Sequence, residues 1–304
     1  MQHARSVVQA PAPGPLRSGA HPEVARGVAP GPCAVPESAG PWGMSTPAQP
    51  ATSLDWAGIV ADLNRLVRLK TTPVGLSRFA TLADMEAVPR VRRPDGIHTF
   101  DQVVAMATRL GWTVGATAAD FVQKQCSAVL GLIPRDEEWL AGRELAGVWF
   151  ATIEDSAAHQ RSMDTAPYAA HAGVVVSPLT SGRLDPPDVV LIYATPGQMV
   201  LMINGLQWSG YRKLTMGSVG ESACADSWGR ALATGEPSVS IPCYAERRYG
   251  GVADDELLMA TPPQFLPTMI AGLEALSRNG LRYPIAPYGI QSDARAGLAR
   301  SYGG

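Results

Sequence analysis

The sequence predicts a single compact α/β domain, or its mixed α+β variant, with a central mixed sheet flanked by helices and a disordered N-terminal tail ahead of it. Three observations lead there. Segments of helical period open and close the stretch 53–290, short apolar blocks of strand type lie between them, and residues 1–52 show neither pattern. That tail is mostly Pro, Ala, Gly, Ser and Val, with too little apolar surface to offset the entropy of ordering it. The expected boundaries are therefore 1–52 for the tail, 53–290 for the domain and 291–304 for a flexible C-terminus. Met44, just ahead of the first periodic segment, offers an alternative start of translation.

Taken in order, Ser53 reads as an N-cap, with Trp56, Ile59, Val60, Leu63, Leu66 and Val67 on one helical face. The helix ends where Thr72-Pro73 forces an extended backbone. Residues 73–79 follow as a short strand. A second helix covers 100–110 with Gly111 as its stop, and helical pattern returns over 118–130. Strand-like runs come at 147–153, 173–177 and 189–193, the last an apolar block of buried-strand type. Residues 198–208 and 224–233 read as helical, 239–242 as extended, and 263–278 as a closing amphipathic helix. No internal repeat is present.

Of the 304 residues 46% are hydrophobic, enough for a sizeable core. A net charge of −2 and a pI near 6.2 leave no broad basic surface, so neither nucleic acid nor membrane is expected as a partner. The longest apolar runs, such as 189–193 and 199–203, fall far short of the roughly 20 residues a spanning helix needs. Residues 1–17 carry no export signal, so a cytoplasmic protein is expected, with a small-molecule substrate as partner and a homo-oligomer compatible. The 4 cysteines are widely and irregularly spaced, which favours free thiols or ligands over disulfides.

Several segments in fixed order carry a resemblance. They are Leu-Lys-Thr-Thr-Pro-Val (69–74), Cys-Ser-Ala-Val-Leu-Gly-Leu (126–132), Pro-Pro-Asp-Val-Val-Leu-Ile-Tyr (186–193), Pro-Gly-Gln-Met (196–199) and Pro-Cys-Tyr-Ala-Glu-Arg-Arg (242–248). Over 59–284 the chain is similar to the uncharacterised family called domain of unknown function 169, the archaeal conserved region family. The family pattern often has a further cysteine in the helix before Cys126, whereas 100–110 here has none. The resemblance implies no agreed activity.

Three cysteines lie inside these family-like segments, each at an element boundary: Cys126 before a Leu-Gly-Leu turn, Cys224 opening a helix, and Cys243 after an extended run and Pro242. Cys33 falls in the tail and is set aside. A thiolate at a helix start is favoured by the dipole, which Cys224 fits best. Soft sulfur ligands select iron–sulfur, zinc or copper(I), so three converging thiolates could hold a 4Fe-4S cluster with one iron open as a Lewis acid. The plainer alternative is that each is a small buried hydrophobe. Arg247 and Arg248 could hold a carboxylate or phosphate, or pair with Glu246, Asp254, Asp255 or Glu256. Gln198, following a strand and Pro196-Gly197, could orient a substrate or only cap its helix. Asp226 could act as a base or as a first-turn helix stabiliser. No P-loop or Gly-x-Gly-x-x-Gly is present, so neither ATP nor NAD is expected.

Three functions follow. The first is an enzyme whose Cys126, Cys224 and Cys243 hold an iron–sulfur cluster for hydration, dehydration or leaving-group removal on a small anionic substrate, aromatic ones included. The second is a cofactor-free enzyme with one activated cysteine, Cys224. The third is a small-ligand-binding module with inert cysteines.

Overall fold

The computed structural model describes residues 54–168 and 171–293. The expectations for 1–52, Met44, Cys33, Ser53 and 294–304 lie outside them. The described residues belong to one contact unit, Pro50–Gly304.

Helix α1 (Trp56–Val67) buries the six apolar residues its period marks, and its N-cap is Asp55, whose carboxylate accepts from Gly58 N at 3.0 Å. Arg68 closes it in the left-handed region. Strand β1 (Val74–Phe79), helix α2 (Leu82–Glu86) and the two-residue strand β2 (Val91–Arg92) follow. Helix α3 (Phe100–Leu110) starts in a capping box: Thr99 Oγ1 accepts from Gln102 N at 3.1 Å and Gln102 Oε1 from Thr99 N at 2.9 Å. Gly111, at φ 71°, ends it as the sequence predicts, and strand β3 (Thr113–Ala116) leaves from there.

The predicted helix over 118–130 is broken. A 3-10 turn, Ala118–Asp120, is held by Asp120 accepting from Thr117 N, Phe121 then bridges to His98, and only Lys124–Val129 forms helix α4. The predicted strand at 147–153 is also absent. Gly147 turns at φ 78°, Val148 and Trp149 are exposed, and Thr152 caps a helix by accepting from Asp155 N. Two helices therefore stand in this region, α5 (Glu137–Leu140) and α6 (Ile153–Ser162). Local capping outweighs a β-rich composition whose apolar side chains find nothing to cover them.

Strands β4 (Gly173–Pro178) and β5 (Val189–Ala194) match the prediction, and helix α7 (Pro196–Gln207) begins with Pro196 in its first turn. A π-helical turn, Ala225–Gly229, runs into α8 (Arg230–Thr234), then come β6 (Ser238–Ser240), α9 (Tyr244–Arg248), β7 (Leu257–Thr261) and α10 (Leu266–Arg278). The seven strands form one mixed sheet in the order β2-β3-β4-β1-β5-β7-β6, antiparallel except for β2 with β3. With no run of parallel crossovers, the architecture is the α+β variant.

Period-2 alternation divides the core. Val189, Leu191 and Tyr193 of β5 face one cluster with α3, α4 and Trp228, whereas Val190, Ile192 and Ala194 face another with α1, α7 and α10. On the second face α7 and α10 touch backbone to backbone. A Cβ on Gly272 would fall 2.1 Å from Gly205 O, so only glycine permits this crossing.

Candidate functional site

The first face carries a buried cavity lined by Asp101, Gln123, Gln125, Cys126, Glu221, Ser222, Cys224, Cys243 and Ala245, with a volume of ≈ 20 Å³. All three cysteines of the described residues are free, buried and on its wall, although they come from three separate segments. Cys126 is delivered by α4 and Cys224 by the residue just before the π-helical turn. A Cβ on Gly229 would fall 2.6 Å from Val129 Cγ1, so that glycine lets the turn close onto α4. The Cys126 and Cys224 thiols stand close enough to influence one another's titration. Cys243 caps α9: its N–H donates to Glu246 Oε2 at 2.9 Å, and its sulfur accepts from the Glu246 backbone N–H. Glu246 Oε1 in turn accepts from Tyr193 Oη at 3.0 Å, which ties α9 to β5.

Asp101 enters from the first turn of α3. It is 3% exposed, and its Oδ2 has no hydrogen-bond partner among the described residues. Also on the wall, Glu221 Oε2 lies 3.1 Å from His159 Nε2 and accepts from Ser222 Oγ, while the His159 ring packs at 4.9 Å on Phe150.

The electrostatics are one-sided. Among the described residues lining the cavity there is no Lys, Arg or His. The hydrogen bond to Cys224, burial and the nearby acids push the Cys126 thiol well up. For Cys224 the hydrogen bond from Cys126 acts downward, but burial and the Cys243, Glu221 and Asp101 groups outweigh it, leaving the thiol at about 11. Burial and then Glu246 raise Cys243. Burial, with Glu246 beside it, lifts Asp101 to about 8, and burial raises Glu246 too. The dipole-lowered Cys224 expected from sequence is thereby corrected. The helix that Cys224 opens passes at once into a π-helical turn, and desolvation beside the Cys243, Glu221 and Asp101 groups dominates.

Of the other predicted site residues, none lines the cavity. Gln198 is fully buried on the opposite face, where Oε1 accepts from Thr195 N at 2.7 Å and Nε2 donates to Val67 O and Arg68 O at 2.9 and 2.7 Å. It caps α7 and closes the C-terminus of α1. Asp226 holds the preceding loop by accepting from Val219 N at 2.7 Å. Arg247 donates to Ala253 O and lies 3.8 Å from Asp254, and Arg248 stands over the Tyr249 ring at 5.8 Å. Asp101, Glu221 and Ser222 are the groups the sequence reading missed. A signal for Asp101 was present: it shares the buried stripe of α3 with Val104, three residues on.

No three His, Cys, Asp or Glu side chains among the described residues stand close enough to hold a single metal ion. No helix among them is long and apolar enough to cross a membrane.

The profile of the family described as uncharacterised ArCR, domain of unknown function 169, matches residues 62–272. The chain belongs to this family. Asp101, Cys126, Glu221, Cys224 and Cys243 all fall within the ArCR span. The uncharacterized protein MJ0308 of Methanocaldococcus jannaschii is 24% identical over 189 residues, covering 60% of this chain and 81% of that one. No solved structure matches the chain significantly.

Proposed function

We propose that this chain is an enzyme whose Cys126, Cys224 and Cys243 hold an iron–sulfur cluster of the 4Fe-4S type, acting on a small anionic substrate by hydration, dehydration or loss of a leaving group. The observation that carries this reading is that three thiols share one buried wall with the Asp101 carboxyl, whose Oδ2 is unpaired, and that no cation lines that wall. Burial and mutual repulsion hold these thiols and the Asp101 carboxyl largely protonated in the metal-free protein, and a positive centre is what would let them ionise. A donor set rich in thiols suits a soft metal. The cavity of ≈ 20 Å³ has about the room of one water, so loading entails opening the wall.

When bound, such a cluster supplies an open iron that polarises an oxygen or sulfur of the substrate. The chain's own contribution is positional. Glu221, held by His159 and Ser222, places a carboxylate on the cavity wall where it can take or give the proton that hydration or dehydration requires. The anion-holding role expected of Arg247 and Arg248 passes in this reading to Arg109. Its guanidinium donates to the carbonyls of Gly250 and Gly251, and it lines a neighbouring cavity with Asp101, Thr71 and Tyr193.

The raised thiols disfavour the cofactor-free alternative, because Cys224 at about 11 holds little thiolate at neutral pH. Protein produced and purified without oxygen, with cluster assembly supplied, is expected to be brown and to contain iron and acid-labile sulfide in equal amounts. A colourless product free of both would overturn the proposal. In metal-free protein, alkylation of Cys224 is expected to be slow at pH 7 and to accelerate as pH rises toward about 11. Fast, selective labelling at pH 7 would favour the activated-cysteine enzyme instead.

A further inference from the structure

We infer that Asp101 is the fourth ligand of this site, an exchangeable oxygen donor beside the three thiolates. The inference rests on the cluster reading above and adds a residue that neither the cysteine pattern nor the family description assigns.

Four observations carry it. The carboxylate is 3% exposed, and its Oδ2 has no hydrogen-bond partner among the described residues. It lines the same cavity as Cys126, Cys224 and Cys243. It is firmly placed: the Thr99–Gln102 capping box sets the turn beneath it, and Gly250 packs so closely that a Cβ there would come within 3.3 Å of Asp101 Cβ and O. It also lines the neighbouring cavity of ≈ 10 Å³ with Thr71, Arg109 and Tyr193, where Thr71 Oγ1 is likewise unpartnered.

A first-turn acid can stabilise a helix through its dipole, but that role is ordinarily filled from the solvent side. Here the capping box already satisfies the start of α3, and burial and then Glu246 disfavour the Asp101 charge more than its Thr99 and backbone contacts favour it, while Oδ2 stays unpaired. A buried carboxylate oxygen without a partner is among the least favourable groups a core can hold. Coordination removes that penalty. Three cysteines leave one iron of a four-iron cluster without a thiolate, and a carboxylate is a harder, more readily exchanged donor for it. Because Asp101 stands between the thiol cavity and the one bearing Arg109, the exchangeable position lies on the side where an anionic substrate is held.

The test compares wild type, Asp101→Ala and Asp101→Cys, all prepared without oxygen. Iron, sulfide and the electron paramagnetic resonance signal of a three-iron cluster are followed after a mild oxidant is added. Wild type is expected to lose its fourth iron at a measurable rate, Asp101→Ala about tenfold faster or more, and Asp101→Cys more slowly than wild type. Metal-free Asp101→Ala is expected to melt at a higher temperature than metal-free wild type, because a buried carboxyl with an unpaired oxygen is gone. Equal rates of iron loss in all three proteins, or a lower melting temperature for metal-free Asp101→Ala, would overturn the assignment while leaving the three-thiolate cluster standing. Wild type that takes up neither iron nor sulfide would remove the cluster reading and this inference together. Should Asp101→Ala fail to fold, the comparison of Asp101→Cys with wild type decides alone: no slowing of iron loss refutes the ligand.

Discussion

The two faces of the sheet are built from alternate residues of the same strands, yet they treat polar groups in opposite ways. On the face covered by α1, α7 and α10 the interior is apolar, and the buried amide of Gln198 has its donors and acceptor all paired with backbone. On the face covered by α3, α4 and the π-helical turn, three thiols and the Asp101 carboxyl share one cavity, with Asp101 Oδ2 unpaired. The difference separates a face whose buried polar groups are all paired from one that leaves a buried carboxyl oxygen unpaired. A core that satisfies every polar atom can be close-packed and rigid. A ligand that meets such groups adds stability by mass action.

This comparison can be broken from either side. The largest effect is expected on the thiol face: Cys224→Ser should lower bound iron and sulfide by about tenfold or more while leaving the secondary structure intact. Unchanged iron content would place Cys224 among ordinary core residues. On the opposite face, Gly272→Ala should cost about 2–3 kcal/mol in urea unfolding, because the new methyl meets the Gly205 carbonyl and forces α7 and α10 apart. Iron content should not move. Gln198→Leu comes next, at about 1–3 kcal/mol, since it strips partners from Val67 O, Arg68 O and Thr195 N. Iron loss in that variant without a stability loss would reverse the assignment of Gln198 to the structural face. The smallest effect is expected from Arg248→Ala, an exposed residue whose replacement should change stability by less than about 0.5 kcal/mol and leave iron binding alone.

How much was legible differs between the faces for a physical reason. Helices α1, α3, α7 and α10 announce themselves by period and by caps, which are local signals. Strands β3 and β7 do not. Thr113–Ala116 is buried throughout and Leu257–Thr261 nearly so, and a short run covered on both faces shows no alternation to read. The break between Ala118–Asp120 and α4 depends on the bridge from Phe121 to His98, a contact across 23 residues that no local window contains. Gln198 shows the same limit in a single side chain. Its capping role was readable, but whether its amide met a ligand or the end of α1 depended on where α1 came to rest.

By itself the sequence determined a mixed helix-and-sheet domain, the ArCR resemblance, the main amphipathic helices and the three cysteines as candidates, while the choice of α+β over α/β waited for the strand order. These follow from composition, period and residue type, all carried within short stretches of chain. Only the tertiary structure decided that Cys126, Cys224 and Cys243 share one wall, that Asp101 joins them with its Oδ2 unpaired, and that Gln198, Asp226, Arg247 and Arg248 do not line it. Convergence of distant segments and the loss of solvent around a charge are properties of packing, and packing is settled between segments rather than within any one of them.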